Sequence, residues 1–112
     1  MRITESIEHN ITVLLVEGRL DATSAPEAEN VFRSTAQKTP PKLLLDLTGV
    51  EYISSGGLRS VIMLMKMVRQ YQGVLSLCGM GPFVSEVFDI THLADQFTIY
   101  PSRTDALAAM NA

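Results

Sequence analysis

The spacing of apolar positions changes along the chain, and each change marks an element. Residues 3–8 alternate weakly, and 11–16 (Ile-Thr-Val-Leu-Leu-Val) read as a strand, with His9 and Asn10 between them as a hairpin tip. Gly18-Arg19-Leu20-Asp21 then leaves the sheet. Ser24 and Glu27 have capping-box spacing with Pro26 in the first turn, which predicts a helix to about Lys38, stopped by Thr39, Pro40 and Pro41. The apolar run Leu43–Leu45 followed by Asp46 predicts a strand over 42–47 buried on both faces, broken by Thr48-Gly49. A second helix is expected from about Gly56 to Gln72, with Gly73 as its stop. A strand over 74–78 follows, then a turn at Gly79–Gly81. A helix is expected from Phe83 to about Ile90, begun by Pro82, then a strand over 96–100 and a helix ending near Met110, capped through Ser102 and Asp105.

This order implies one α/β domain over residues 1–112: a mostly parallel sheet with right-handed crossovers, an antiparallel first strand and about four helices. At 100° per residue, Leu58, Val61, Ile62, Leu64, Met65 and Val68 share one arc of the second helix. Arg59, Lys66 and Gln70 lie on the other side. Met63 and Met67 also lie there, where sheet packing does not account for them; they suit an adaptable contact with a partner protein or a neighbouring helix that covers them.

Composition narrows the chemistry. The net charge of −3 and the absence of a Lys/Arg cluster speak against nucleic acid, no apolar stretch is long enough for a membrane span, and with no apolar run among the first ten residues a secretory signal is not expected. The single Cys78 makes no internal disulfide, which fits the cytoplasm, and one cysteine with two separated histidines, His9 and His92, gives no metal spacing. No phosphate-binding glycine loop is present. The segment Ile53-Ser54-Ser55-Gly56-Gly57 lacks the glycine and partner histidine of a serine hydrolase. Neither an enzyme nor a bound cofactor is expected. In a parallel sheet, functional loops gather beyond the carboxyl ends of the strands, so Asp21, Asp46, Ser54 and Ser55 are expected at one edge. Asp21 also suits a helix-entry cap, and Asp46 a loop-ordering hydrogen bond.

Asp46-Leu47-Thr48-Gly49-Val50-Glu51-Tyr52-Ile53-Ser54-Ser55-Gly56-Gly57-Leu58, with Gly18-Arg19-Leu20-Asp21, resembles the signature of STAS domains, specifically the free-standing anti-sigma-factor antagonists. The resemblance extends over essentially the whole chain. It implies a partner-switching protein that binds an anti-sigma factor that is also a serine kinase, is released when phosphorylated, and is reset by a serine phosphatase. The acceptor falls on Ser55. Two positions depart from the common pattern: Ser54 stands where many members carry aspartate, and Gly56 where many carry a second hydroxyl residue. The partner surface implied here comprises Asp21, Asp46, Ser54, Ser55, Gly56, Gly57, Arg59, Met63 and Met67. Two alternatives stay open: a switch with a non-sigma output such as secretion or a signalling complex, and a module that senses a small ligand.

Overall fold

In the computed structural model, which describes residues 1–38 and 41–112, one five-stranded sheet runs in chain order, β1-β2-β3-β4-β5. The strands are β1 (Arg2–Glu8), β2 (Ile11–Leu20), β3 (Lys42–Ile53), β4 (Val74–Cys78) and β5 (Thr98–Tyr100). The helices are α1 (Ala25–Ala36), α2 (Ser55–Gln70), α3 (Pro82–Ile90) and α4 (Arg103–Met110). Only β1 is antiparallel to its neighbour. The β1–β2 turn has two residues, His9 and Asn10, both at positive φ, which matches the right-handed twist of the two strands.

Alternation along β3 explains why both faces are covered. Leu43, Leu45 and Leu47 point into the larger core under α1, α2 and α3, with Phe32, Leu64 and Phe88. Leu44 points the other way, with Ile11, Val13, Cys78, Ala106 and Met110, where α4 closes the second face. The expected mostly parallel sheet with four helices is therefore present.

Several local expectations are corrected. Gly18–Leu20 does not leave the sheet, and Thr48-Gly49 does not end β3. Instead Glu17 pairs with Gly49, Gly18 with Val50, Arg19 with Tyr52 and Leu20 with Ile53, after register shifts that place two extra residues in β3. Pairing with β2 supplies ladder hydrogen bonds that outweigh the local turn preference of Thr-Gly, and the bulges absorb the mismatch. Helix α1 ends at Ala36, short of Lys38. Of the residues expected to stop it, Thr39 and Pro40 lie outside the described residues. The capping box at Ser24 does not form, because that hydroxyl accepts from the Asp21 N–H at 3.0 Å and donates to the Arg19 carbonyl at 2.8 Å. The last strand starts at Thr98, since Leu93–Gln96 form a 3₁₀ turn entered through His92 at positive φ. The box at Ser102 does form its half-bond, accepting from the Asp105 N–H at 3.1 Å.

Helix α2 starts at Ser55 and ends at Gln70, two residues short of the expected Gln72, and its stop has a different cause. Gln72, rather than Gly73, takes the left-handed conformation, and the Gln72 and Gly73 N–H groups donate back to the Arg69 and Val68 carbonyls, the double closure of a Schellman motif. Gly73 is needed because any β-carbon there would collide with the Pro41 carbonyl oxygen. Gly73→Ala should therefore cost about 2 kcal/mol in thermal or chemical unfolding, through displaced backbone. Gly81→Ala, with open space around the position, should stay within about 1 kcal/mol of the parent.

Candidate functional site

The carboxyl end of β2 and the amino end of α2 meet at the edge of the sheet. Ser54 donates its N–H to the Leu20 carbonyl at 3.0 Å, which ties the entry of α2 to the last residue of β2. The backbone then turns into the helix, and Leu58 makes the first helical bond, to the Ser54 carbonyl. Gly57 is buried in this contact, and a β-carbon on it would strike the Leu20 carbonyl. A β-carbon on Gly56 would sit 3.0 Å from the Ala22 Cα. The two glycines thus let a helix terminus lie on the β2–α1 loop. Gly57 itself is covered, so it presents no open backbone at the surface.

This approach separates the two serines. Ser54 is the N-cap: its backbone is extended, and its hydroxyl accepts from the Gly57 N–H at 3.4 Å. Serine and aspartate cap helices about equally well, so the departure at position 54 keeps the cap. Ser55 is the first residue of α2 and is exposed, in the turn whose N–H groups have no partner within the helix.

The Asp21 loop lies against the same terminus through Ala22 and Gly56. Asp21 orders the loop before α1 and does not cap the helix itself, whose N-cap is Ser24. Its Oδ1 accepts the N–H groups of Thr23 and Ser24 at 3.1 and 3.2 Å, and Arg19 approaches Oδ2 at 3.6 Å. The Ser24 N–H, then the Thr23 N–H, the Ser24 hydroxyl and the Arg19 charge hold this carboxyl below its ordinary value, against a smaller push upward from burial. Arg19 and Tyr52, paired across β2 and β3, stack with the guanidinium 4.2 Å from the ring centroid, and Phe83 of α3 stacks on Tyr52 at 5.6 Å. This Arg19–Tyr52–Phe83 column borders the serine loop and was missed from sequence. Its signal was present: Arg19 and Tyr52 are large exposed-face residues next to Leu20 and Ile53, which point into the core.

Asp46 does not join the site. Leu15, its partner on β2, lies five residues before Leu20, about 17 Å along the sheet. Asp46 instead sits beneath α4 with its side chain only 5% exposed. Its Oδ1 accepts from the Thr48 N–H at 3.0 Å and the Thr48 hydroxyl, the loop-ordering bond that the sequence allowed. Its Oδ2 accepts from Arg103 Nε at 2.9 Å, and Arg103 also reaches Glu8 at 3.2 Å. Burial raises the Asp46 pKa, but the Thr48 hydroxyl, the Thr48 N–H and Arg103 together outweigh it, so the carboxyl titrates below its ordinary value. The Cys78 thiol beside it is pushed up to about 12 by burial and by the Asp46 charge, which leaves it an unreactive core group.

On α2, Leu58, Val61, Leu64, Met65 and Val68 are buried as the periodicity requires. Ile62 is only half-buried and lines a shallow outer groove with Arg59, Met63, Lys66, Met67 and Gln70. Met63 and Met67 are half-buried as well: one flank packs on the core, with α1 alongside, and the other lines the groove. The covering reading of these methionines holds in part, and the flank that faces the groove is left open. The site thus brings together Asp21, Ser54, Ser55, Gly56 and Gly57, continues along α2 through Arg59 to Met67, and excludes Asp46. Among the described residues no cluster of metal-ligating side chains occurs, and no helix is long and apolar enough to cross a membrane.

The family model for the STAS domain matches residues 2–106. A candidate anti-sigma factor antagonist of Bordetella bronchiseptica, BtrV, is 34% identical over 109 residues, covering 97% of this chain and 94% of its own. The anti-sigma-B factor antagonist of Listeria monocytogenes is 34% identical over 82 residues, covering 73% of this chain and 72% of its own. Among solved structures, an anti-sigma-factor antagonist (STAS) domain protein from Planctomyces limnophilus superposes with a TM-score of 0.90 at 30% identity, with 98% of each chain covered.

The Asp46–Arg103 pair generates a stability prediction. Because the folded pKa of Asp46 is depressed, its contribution is complete above the unfolded value near 4 and is lost as pH falls through the folded value. Unfolding midpoints of the parent chain should drop below about pH 4 more steeply than those of Asp46→Asn. Arg103→Leu should cost about 2 kcal/mol at pH 7, less than a fully buried pair, since Arg103 is 33% exposed. Parallel acid limbs for parent and Asp46→Asn would remove Asp46 from this role.

Proposed function

The chain belongs to the STAS domain family, and on that premise we propose that it is an anti-sigma-factor antagonist that works by partner switching. In this reading the unmodified protein binds an anti-sigma factor that is also a serine kinase, and so frees the sigma factor. The kinase phosphorylates Ser55, the complex dissociates, and a serine phosphatase restores the binding form. The chain acts as substrate and ligand rather than as an enzyme, in the cytoplasm, where sigma factors act.

The observation that carries the reading is the division of labour between the two hydroxyls. Ser54 is committed to the Gly57 N–H, while Ser55 stands exposed at the first helical position. A kinase needs an accessible hydroxyl on a segment that can tolerate charge, and position 55 meets both needs. Phosphorylation adds about 1.5 to 2 negative charges. The partial positive charge of the helix terminus offsets part of this, by roughly 0.3–1 kcal/mol, so the modification is compatible with the fold. A carboxylate of the bound partner about 6 Å away, at an effective dielectric near 20, would be repelled by about 3 kcal/mol per unit charge. That is about a hundredfold in affinity. Repulsion of this size releases a partner without any refolding. Asp46 takes no part, since it lies beneath α4. Asp21 is close enough to contribute but is held by its own loop.

Incubation with the cognate kinase and ATP, followed by mass spectrometry, tests the reading. Phosphate should appear on Ser55 in the parent and in Ser54→Ala, which should also lose about 1 kcal/mol of stability with its cap. Ser55→Ala should bind the kinase and stay unmodified, and Ser55→Asp should bind weakly. Phosphate on Ser54 alone would move the acceptor, and none on either serine would remove the switch.

A further inference from the structure

We propose, resting on the partner-binding reading of α2, that the groove along its outer face takes an acidic segment of the partner carrying apolar residues one helical turn apart. The distribution of charge argues for it. The chain carries −3 overall, yet α2 contains Arg59, Lys66 and Arg69 and not one Asp or Glu. A fourth cation, Arg33 of α1, extends its guanidinium to 4.0 Å from the Met63 sulfur at the edge of the groove. Among the described residues, none of Arg33, Arg59 and Lys66 is engaged by a carboxylate; the ion pairs formed elsewhere use Arg19, Lys38 and Arg103. A stripe of unpaired cations on an otherwise acidic domain makes long-range attraction local to one face, and it favours a partner of opposite sign.

The groove supplies the apolar half of the match. It has a volume of about 270 Å³, and its apolar wall comes from Ile62, Met63 and Met67, with Arg59, Lys66 and Gln70 along the rim. Methionine adapts its shape to an inserted side chain, so the wall suits leucine-like residues spaced by one turn. The same geometry ties recognition to the switch. At about 100° per residue, Ser55, Arg59, Ile62 and Lys66 fall within about 60° of arc, so the acceptor hydroxyl stands at one end of the cationic stripe. A phosphate on Ser55 repels the carboxylates that the stripe attracts. It also lies one turn from Arg59, where it draws that guanidinium away from the partner.

Two synthetic helical peptides of 18 residues test this, with the same leucine spacing and either glutamate or lysine at the flanking positions. In titrations of the isotope-labelled domain, the glutamate peptide should shift amide resonances within 59–70, and the lysine peptide should not. Lys66→Glu should weaken the glutamate peptide by about tenfold, and raising the salt should weaken it in the parent. Arg2→Glu, the same charge change on the exposed strand β1, should leave its binding unchanged. Equal binding of the two peptides, binding of neither, shifts outside the groove, or no effect of Lys66→Glu overturns the proposal. Unaltered kinase affinity in Lys66→Glu also overturns it, and Ser55 phosphorylation read in that same assay shows whether the switch itself still stands.

Discussion

The contact on which the site depends is between two pieces of backbone: the Leu20 carbonyl at the end of β2 and the first turn of α2. That carbonyl accepts the Ser54 N–H at 3.0 Å, and Gly57 lies against it with no room for a side chain. A helix terminus held this closely has little freedom to tilt, because a shift would break the bond or force the backbones together. Its capping hydroxyl is consumed by Gly57. The next residue therefore emerges at a defined place and angle, on the surface, with the helix core anchored behind it by Leu58, Val61 and Leu64. Rigid presentation of one hydroxyl follows from a packing constraint rather than from any catalytic arrangement.

The long β3 strand separates two polar systems that the chain carries only a few residues apart. Before the bulges, Asp46 faces α4 and joins Arg103 and Glu8, tying together β3, the start of α4 and the end of β1. After them, Tyr52 aligns with Arg19 beside the serine loop. One cluster stabilises the fold and the other borders the surface, with about 13 Å of sheet between them. The buried ion cluster is thus too far from Ser55 for a charge introduced there to disturb it.

Most of the architecture was legible because it rests on periodicity and punctuation. The buried run at Leu43–Leu45, the turn at His9-Asn10, the proline before Phe83 and the serine cap at Ser102 each carry a local signal that the tertiary structure respects. The errors arose where non-local pairing outweighed local preference. Thr48-Gly49 looks like a turn and is strand, because β2 lies alongside it. Gly73 looks like a helix cap, yet Gln72 takes the cap conformation while Gly73 clears Pro41. Asp46 was placed with the serines because a broken strand would have ended near it; the unbroken strand carries the loop away. The Arg19–Tyr52–Phe83 column joins three elements; Arg19 and Tyr52 stand out locally as large residues on the outward face, but local spacing does not show that they meet.

The central claim is that phosphorylation at Ser55 changes the charge of a fixed surface without rearranging the domain behind it. Amide spectra of the isotope-labelled protein, recorded before and after stoichiometric phosphorylation at Ser55, measure this directly. The account predicts resonance changes confined to residues 19–24 and 52–63, with β4, β5 and α4 unmoved. Changes spreading through β4, β5 and the Arg103 cluster would contradict it, because the phosphate would then act by refolding the domain.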